Sequence, residues 1–297
     1  MSRKCLGNKD ISKSSVVMAT EATKILIAVF GVTSAEKEAI SRDWNLKNSL
    51  QVAALPAVLY AIQNLMCQYA YQLLDSMTFN VINQTKTLSA ALWLYFILNK
   101  PQSMMQIFAL FLLLTAAVII NVPMGGEKAL KVENMADYQL GLSLALGASM
   151  LSGLSAALTQ KALTNATPRP ALFFSAELAT YGILFLIVSL IFNEEGSRVL
   201  QNGIYKGWDA KALIPVLTNA FGGIIVGLVT KYAGGVRKGF ALIAGMVLTG
   251  FVQWSIEGKE LQINSWIAVG LVSLSIYLHS AYPTKPVLPP KSDKKEL

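Results

Sequence analysis

The chain has 297 residues, of which 54% are hydrophobic and only 14% are charged, and its mean hydropathy is +0.49. Soluble domains carry about 25% charged residues, so this composition excludes most enzymes of aqueous compartments and predicts an integral membrane protein. The net charge of +8 would suggest a nucleic-acid partner in a soluble protein. Here lysines and arginines that set membrane topology explain most of it, and no nucleic-acid partner is predicted.

Apolar blocks of about 20 residues, the length that spans a bilayer as a helix, follow one another along the chain. They predict an all-α, polytopic membrane helix bundle rather than alternating β-barrel strands. A polar segment, 1–13, precedes a single transmembrane domain, 14–282, and a tail rich in proline and lysine, 283–297, is predicted to be disordered. Nine helices are predicted, roughly over 14–32, 49–71, 77–98, 104–122, 139–160, 171–192, 213–232, 238–256 and 264–282.

The connectors predict the orientation of the chain in the membrane. No signal peptide is visible, and once the N-terminal segment is left out, lysine and arginine favour a cytosolic C-terminus. The last four residues, Lys294-Lys295-Glu296-Leu297, match a dilysine retrieval signal of endoplasmic reticulum proteins, which coatomer would read. An ordinary charged tail is the alternative. Nine helices would then place the polar N-terminus in the lumen, which indicates a miscounted block or a missing preceding helix.

Charged side chains inside the predicted helices are candidates for a binding site. A charge at bilayer depth costs at least about 2.5–3.5 kcal/mol and needs a partner or a watery cavity. Lys86 lies in the middle of its helix, and Asn83, three residues earlier, shares its face. We interpret Lys86 as an anion-binding residue. The alternative is a structural ion pair with Glu21 or Glu177, the carboxylates deep enough to serve.

Lys238 begins the eighth predicted helix, directly after Gly234 and Gly235. Glycines let the backbone approach a ligand, a helix N-terminus favours an anion, and lysine adds a charge suited to phosphate. The alternative is that Lys238 is an ordinary loop cation that sets the membrane topology. Lys231, at the end of the preceding helix, is interpreted as a snorkelling cation.

Several polar side chains fall inside other predicted helices. Glu21 and Lys24 have the spacing of a local, mainly structural pair, and a role in a cavity stays open for them. Glu177 has no cation near it in the sequence, so it needs a partner from elsewhere or faces a polar cavity, where it could contact a ligand. The second helix carries a polar stripe, which includes Tyr60, Gln63, Asn64, Cys67, Gln68 and Tyr71. Pro56 can bend this helix. The stripe exceeds what helix association alone requires.

The sequence contains no pattern typical of catalysis. His279 is the only histidine, and no P-loop, metal cluster or nucleophile–base pair is present. No catalytic residue, metal or cofactor is assigned, and the chain is not predicted to be an enzyme. A stripe of small residues along 139–160 is interpreted as a packing surface.

Lys86 and Lys238 are five predicted helices apart. Many transporters consist of inverted repeats with a binding site at the midplane between them. A five-helix repeat would make the two lysines equivalents, one in a first half, 14–122, and one in a second half, 139–282. Two lysines that converge on one cavity predict a substrate with more than one negative charge, such as a diphosphate. Nine helices do not divide into two fives, and a missing first helix would restore ten.

Several motifs together resemble those of the nucleotide-sugar transporters, in the branch of CMP-sialic acid, UDP-galactose and UDP-N-acetylglucosamine carriers. The resemblance covers about 16–282 and is greatest to a plant endoplasmic reticulum carrier of UDP-N-acetylglucosamine and UDP-N-acetylgalactosamine. The motifs are Pro56-x-x-x-Tyr60-x-x-Gln63-Asn64, Gln84-Thr85-Lys86, Leu98-Asn99-Lys100, and Lys231-Tyr232 followed by Arg237-Lys238-Gly239-Phe240.

The resemblance implies a ten-helix fold of the drug/metabolite transporter type, whose first helix has no counterpart here. It implies exchange of a cytosolic nucleotide sugar for a luminal nucleoside monophosphate, with phosphates bound by the two lysines. The nucleobase-contacting stretch of the family falls on Ser175 to Ala179, and aromatic positions before the first lysine fall on Phe79 and Asn83. The resulting substrate-binding set is Lys86, Lys238, Asn64, Tyr60, Gln63, Asn83, Glu177 and Phe79.

The expected function is therefore transport of UDP-sugars, foremost UDP-N-acetylglucosamine or UDP-N-acetylgalactosamine, in exchange for UMP. The expected location is the endoplasmic reticulum membrane, with the Golgi membrane as the alternative. A sugar-phosphate or organic-anion carrier and a shortened isoform that binds nucleotide or a partner without transport stay open. The sugar, the base, the stoichiometry and the oligomeric state, a homodimer included, also stay open.

Overall fold

The computed structural model describes residues 12–121, 135–164, 169–192, 196, 199, 201, 203–257 and 263–283. Most of the polar N-terminal segment, most of the tail and the Lys294-Lys295 motif lie outside the described residues. The described part is helical, without strands. Its helices are α1 Lys13–Gly31, α2 Ser34–Asp43, α3 Leu46–Leu73, α4 Ser76–Gln84, α5 Lys86–Leu98, α6 Met104–Asn121, α7 Met135–Thr164, α8 Ala171–Phe192, α9 Leu213–Tyr232, α10 Gly235–Glu257 and α11 Ile263–Ala281.

Polar residues at the helix ends explain where several helices begin. The side chain of Ser12 accepts a hydrogen bond from the Ser15 amide at the start of α1, and Asp75 accepts one from Thr78 at the start of α4. Thr33 and Glu36 form a reciprocal capping box at the start of α2. Such caps satisfy amides that have no acceptor within the helix, so they fix the residue at which each of these helices begins.

The structure confirms the prediction of an all-α membrane bundle. Six described helices are long and apolar enough to cross a bilayer, and a shorter apolar helix covers Met104–Ile120. Two features differ from the predicted ranges. The predicted helix 77–98 is interrupted at Thr85, and the predicted loop 33–48 contains the polar helix α2. The count of nine spans and the inverted repeats remain predictions.

The helix α7 lies at the centre of the bundle, where it contacts α3, α4, α5, α9 and α10. Its small residues, predicted to be a packing surface, are buried. Gly153 lies directly against the backbone of α5, and the carbonyl of Met150 accepts hydrogen bonds from Ser89 at 3.2 Å and from Trp93 at 3.1 Å. Small residues let helix backbones come close in a membrane, which explains this contact.

We expect Gly153→Ala to lower the thermal unfolding midpoint of the purified protein. A Cβ atom at this position would lie 2.6 Å from the Ala90 nitrogen, and backbone cannot move aside cheaply. Overpacking of this kind costs about 1–3 kcal/mol. Gly270→Ala in α11 is the matched control, because nothing lies within 4 Å of its Cβ position, and it should leave the midpoint unchanged or raise it. Equal effects of the two substitutions would contradict this packing account.

Candidate functional site

A cavity of about 530 Å³ lies among α1, α3, α8 and α9, and α7 contributes to one wall. We call it the central cavity. Its size lies within the range of small-molecule sites, which is about 300–1,000 Å³. Most of its wall is apolar, and its polar lining side chains come from all five helices. They are Glu21, Lys24, Tyr60, Asn64, Cys67, Gln68, Thr159, Ser175, Ser189 and Thr230.

The helix α3 supplies the polar stripe noted in the sequence, and a local irregularity precedes it. Residues Leu50–Ala54 are π-helical, and Pro56 follows them. Proline has no N–H to donate and its ring crowds the carbonyl four residues earlier, so a regular α-helix cannot continue through this point. A π-helical segment rotates the face that follows, and such segments are frequent at functional sites. Tyr60 and Asn64 then lie in the cavity wall.

Glu21 and Lys24 of α1 form an ion pair of 2.6 Å inside the central cavity. The pair predicted from their spacing is present, and both residues line the cavity. Gly223 of α9 makes room for Lys24, because a Cβ atom at Gly223 would lie 3.0 Å from its Cε. Lys24 also lies close enough to Tyr60 for its charge to interact electrostatically with the Tyr60 hydroxyl. A paired carboxylate and ammonium are therefore available to a ligand at membrane depth.

The two motif lysines lie near each other, and Lys86 lies close to one wall of the central cavity. Lys86 is the first residue of α5, and Lys238 lies in the first turn of α10. These two helix starts are in contact, since a Cβ atom on Gly239 would collide with the Thr87 side chain. The charge of Lys238 acts on Lys86, which in turn lies near Cys67 of the cavity wall.

Neither Lys86 nor Lys238 forms a salt bridge with a carboxylate in the part of the chain that the structure describes. The carboxylates that sequence reasoning offered as partners are engaged elsewhere, Glu21 by Lys24 and Glu177 by Arg169. The lysines also stand at helix N-termini, where the helix dipole favours an anion. The arrangement is therefore suited to a ligand that carries more than one negative charge.

The interruption at Thr85 places Lys86 at a helix start. The Thr85 hydroxyl donates to the carbonyl of Ile82 at 2.7 Å, and the same carbonyl accepts a bond from Ser149 of α7 at 3.2 Å. A side chain that bonds its own backbone competes with helix continuation, which explains the break. Asn83 precedes the break by two residues, on the predicted face of Lys86.

Glu177 does not line the central cavity. Its carboxylate accepts hydrogen bonds from the Trp44 indole at 3.0 Å, from the Ser49 hydroxyl at 2.6 Å and from the guanidinium of Arg169. Tyr181 donates to Ser49 at 2.9 Å. We call these five side chains the Glu177 cluster. Sequence reasoning missed Arg169, which lies in the connector before α8.

Three other predicted site residues, Phe79, Gln63 and Asn83, are also outside the wall of the central cavity. Phe79 is buried against Ala70, Leu74 and Ala145, and its ring meets Tyr71 edge to face at 5.0 Å between centroids. The Gln63 amide lies 3.9 Å from the Cys67 sulfur. The structure therefore brings Tyr60 and Asn64 into the cavity wall and Lys86 close to it. The remaining predicted site residues do not line it. They are Lys238, Phe79, Gln63, Asn83 and Glu177.

Thr159 of α7 has a buried hydroxyl in the wall of the central cavity. This oxygen has no hydrogen-bond partner of acceptable geometry among the described residues, although the Tyr60 hydroxyl lies close to it. A buried hydroxyl without a partner costs about 1–3 kcal/mol. A ligand that bonds this oxygen would remove that cost.

We expect Thr159→Val to weaken substrate binding without lowering the stability of the fold. Valine has the same shape without the hydroxyl, so the thermal unfolding midpoint should stay the same or rise. The KM for transported nucleotide sugar should rise by about tenfold if the ligand bonds this hydroxyl. A variant with a wild-type KM would show that Thr159 does not contact the ligand.

Comparison with known proteins identifies relatives of this chain. The family model described as nucleotide-sugar transporter matches residues 2–280. The chain is 37% identical to the UDP-N-acetylglucosamine transporter ROCK1 of Arabidopsis thaliana, over 95% of this chain and 87% of that protein. It is 27% identical to the UDP-N-acetylglucosamine/UDP-N-acetylgalactosamine transporter nstp-4 of Caenorhabditis elegans, over 95% and 87% of the two chains.

The human UDP-N-acetylglucosamine transporter is 27% identical over 84% of this chain and 78% of its own length. A solved protein crystal structure superposes with a TM-score of 0.57 over 90% of this chain and 86% of that one, at 11% identity, and so supports the fold alone. The resemblance predicted from the motifs is confirmed, and the family consists of transporters rather than enzymes. The chain belongs to the nucleotide-sugar transporter family.

Proposed function

We propose that the chain exchanges cytosolic UDP-N-acetylglucosamine or UDP-N-acetylgalactosamine for UMP from the lumen of the endoplasmic reticulum or Golgi. One observation carries the proposal. The helix starts that carry Lys86 and Lys238 are in contact near the central cavity, and neither lysine has a carboxylate partner in the described part of the chain. The names of the similar plant, nematode and human transporters support the choice of sugar and base.

The diphosphate is the part of the substrate that would bind the two lysines. Charge-assisted hydrogen bonds are the strong ones, and each contributes about 1.5–3 kcal/mol. Asn83, which precedes the break at Thr85, would add a neutral donor. Without an anion, the two ammonium groups repel each other in a medium of low dielectric constant. An empty carrier would therefore reorient slowly, and return with UMP would be favoured over return alone.

The central cavity would hold the uridine and the sugar. Tyr60 offers an aromatic ring and a hydroxyl, and Asn64 offers both an amide donor and an acceptor. The Glu21–Lys24 pair would bond sugar hydroxyls or the N-acetyl group, because it combines an acceptor and a donor at one place. Gln63, Phe79 and the Glu177 cluster would position these groups from outside the cavity. Rocking of 14–122 against 139–282 would give alternating access.

The deciding measurement is uptake of radiolabelled UDP-N-acetylglucosamine into proteoliposomes that contain the purified chain and are preloaded with UMP. We expect uptake that depends on the internal UMP and is inhibited by external UMP. Uptake that ignores external UMP would indicate a carrier of sugar phosphates or other organic anions. Thermal stabilisation by UMP without any uptake would indicate a protein that binds nucleotide without transport. Either result would contradict the proposed exchange.

A further inference from the structure

A second cavity, of about 510 Å³, lies at one end of the bundle, where α5 and α7 end and α10 begins. We call it the end cavity. It has no lining residue in common with the central cavity. The two cavities are lined by neighbouring residues of α7, because Thr159 lines the central cavity and Gln160 lines the end cavity. The proposed transport of nucleotide sugars assigns no role to this space.

The end cavity has a positive lining. Lys100, from the α5–α6 connector, and Arg237, from the first turn of α10, both line it, and no aspartate or glutamate does. Both side chains are exposed, and neither forms a salt bridge with a described carboxylate. The charge of Arg237 also acts on His279, another lining residue. Two unpaired cations in a concave site favour an anionic ligand.

A buried amide adds a directional donor to this charge. The side chain of Gln160 is only 5% exposed, and its Oε1 accepts a hydrogen bond from the Gly235 amide at 2.6 Å. Its Nε2 has no acceptor among the described residues, and it would lie 3.3 Å from a Cβ atom at Gly234. Gly234 has a φ of +88°, which favours glycine, so this side of the cavity stays open. An oxyanion could accept a hydrogen bond from Gln160 Nε2.

We propose that the end cavity is a phosphate-binding site distinct from the transport cavity. Lys100 and Arg237 supply the charge, and Gln160 Nε2 donates a hydrogen bond. The ligand is a phosphate ester, either of a soluble nucleotide or of a phospholipid headgroup. For a nucleotide the inference rests on the proposed function, whereas for a lipid it does not.

The surroundings of the end cavity allow both sources of phosphate. An apolar groove of about 610 Å³ between α5, α6 and α7 shares Pro101 and Gln102 with the end cavity, and it could hold an acyl chain. Basic pockets between membrane helices are known to bind anionic lipid headgroups. A nucleotide would instead bind at this end before it reaches Lys238, which directly follows Arg237.

The test measures the thermal midpoint of the purified full chain carrying Lys86→Ala, which removes a cation of the transport site. UMP and phosphatidic acid are the two probes, with phosphatidylcholine as the neutral lipid. We expect one probe to raise the midpoint in this background. Adding Lys100→Ala and Arg237→Ala should weaken its apparent Kd by at least about tenfold. Lys37→Ala with Lys47→Ala removes equal charge from exposed residues that line neither cavity, and this control should keep binding.

A further variant, Gln160→Glu, keeps the proposal testable if the alanine variants fail to fold. Glutamate keeps an acceptor for the Gly235 amide and nearly the same shape, but it removes the free donor and adds a negative charge. We expect it to abolish binding without lowering the midpoint of the ligand-free protein. If the variants lose the stabilisation by UMP, the phosphate ligand is a soluble nucleotide. If they lose the stabilisation by phosphatidic acid, the ligand is a lipid headgroup. The proposal is overturned if neither probe binds, or if every variant binds equally. UMP-driven exchange by the unmodified chain tests the proposed function separately.

Discussion

Replacing either Lys86 or Lys238 with alanine should abolish uptake of labelled UDP-N-acetylglucosamine into vesicles preloaded with UMP. Each ammonium would contribute charge-assisted hydrogen bonds to the diphosphate, so its loss should lower kcat/KM by at least about 10- to 100-fold. The remaining lysine cannot compensate, because the two residues come from different helices, α5 and α10. Lysine to arginine should also impair transport, since the planar guanidinium differs in size and geometry from a point charge.

Lys231 is the matched control for this pair. It lies in the last turn of α9, lines neither cavity, and its ammonium lies 5.5 Å from the centre of the Tyr232 ring. Lys231→Ala therefore removes the same charge near the same end of α10 without touching the proposed site, and exchange should continue. Normal exchange by the Lys86 or Lys238 variants would refute the phosphate-binding role of these lysines.

Arg169→Ala should produce the largest loss of stability. The Glu177 carboxylate is buried, and Arg169 is its cationic partner. Removal of one member of a buried ion pair costs about 3–5 kcal/mol, because the other charge stays buried without compensation. The measurement is the thermal unfolding midpoint of the purified protein in detergent, which should fall by several degrees relative to the unmodified chain.

A double variant distinguishes an uncompensated charge from a general loss of packing. Arg169→Met with Glu177→Gln removes both charges, while the glutamine oxygen can still accept from Trp44 and Ser49. Replacement of a whole buried pair is often nearly neutral. Most of the midpoint lost in Arg169→Ala should therefore return. An unchanged midpoint in Arg169→Ala, or no recovery in the double variant, would refute this explanation.

The membrane helices could be predicted because each apolar block is long enough to identify a helix by itself. The break at Thr85 could not, because it depends on a hydroxyl that bonds its own helix and on Ser149, which contacts the same carbonyl from α7. The helical spacing of the polar stripe in α3 was enough to predict that Tyr60 and Asn64 lie on one polar face of that helix. The cavity that they line also requires Gly223, which lies on a helix far along the chain.

The partner of Glu177 shows a different limit of sequence reasoning. Arg169 is only eight residues away, but it lies in a connector, where cations are usually interpreted as topology signals. The Trp44 and Ser49 donors are 133 and 128 residues away. No periodicity relates such distant positions. Contacts of this kind depend on how the helices pack together.

The same separation has a consequence for biosynthesis. Trp44 and Ser49 emerge from the ribosome well before Glu177, and at about 5–20 residues per second the delay is roughly ten seconds. During this interval Trp44 and Ser49 lack the Glu177 carboxylate to which they donate in the folded structure. The end of the bundle that holds the Glu177 cluster can therefore close only after α8 has been inserted. Proteolysis of ribosome-bound chains should show protection near Trp44 only in chains that extend beyond α8, and early protection would contradict this order.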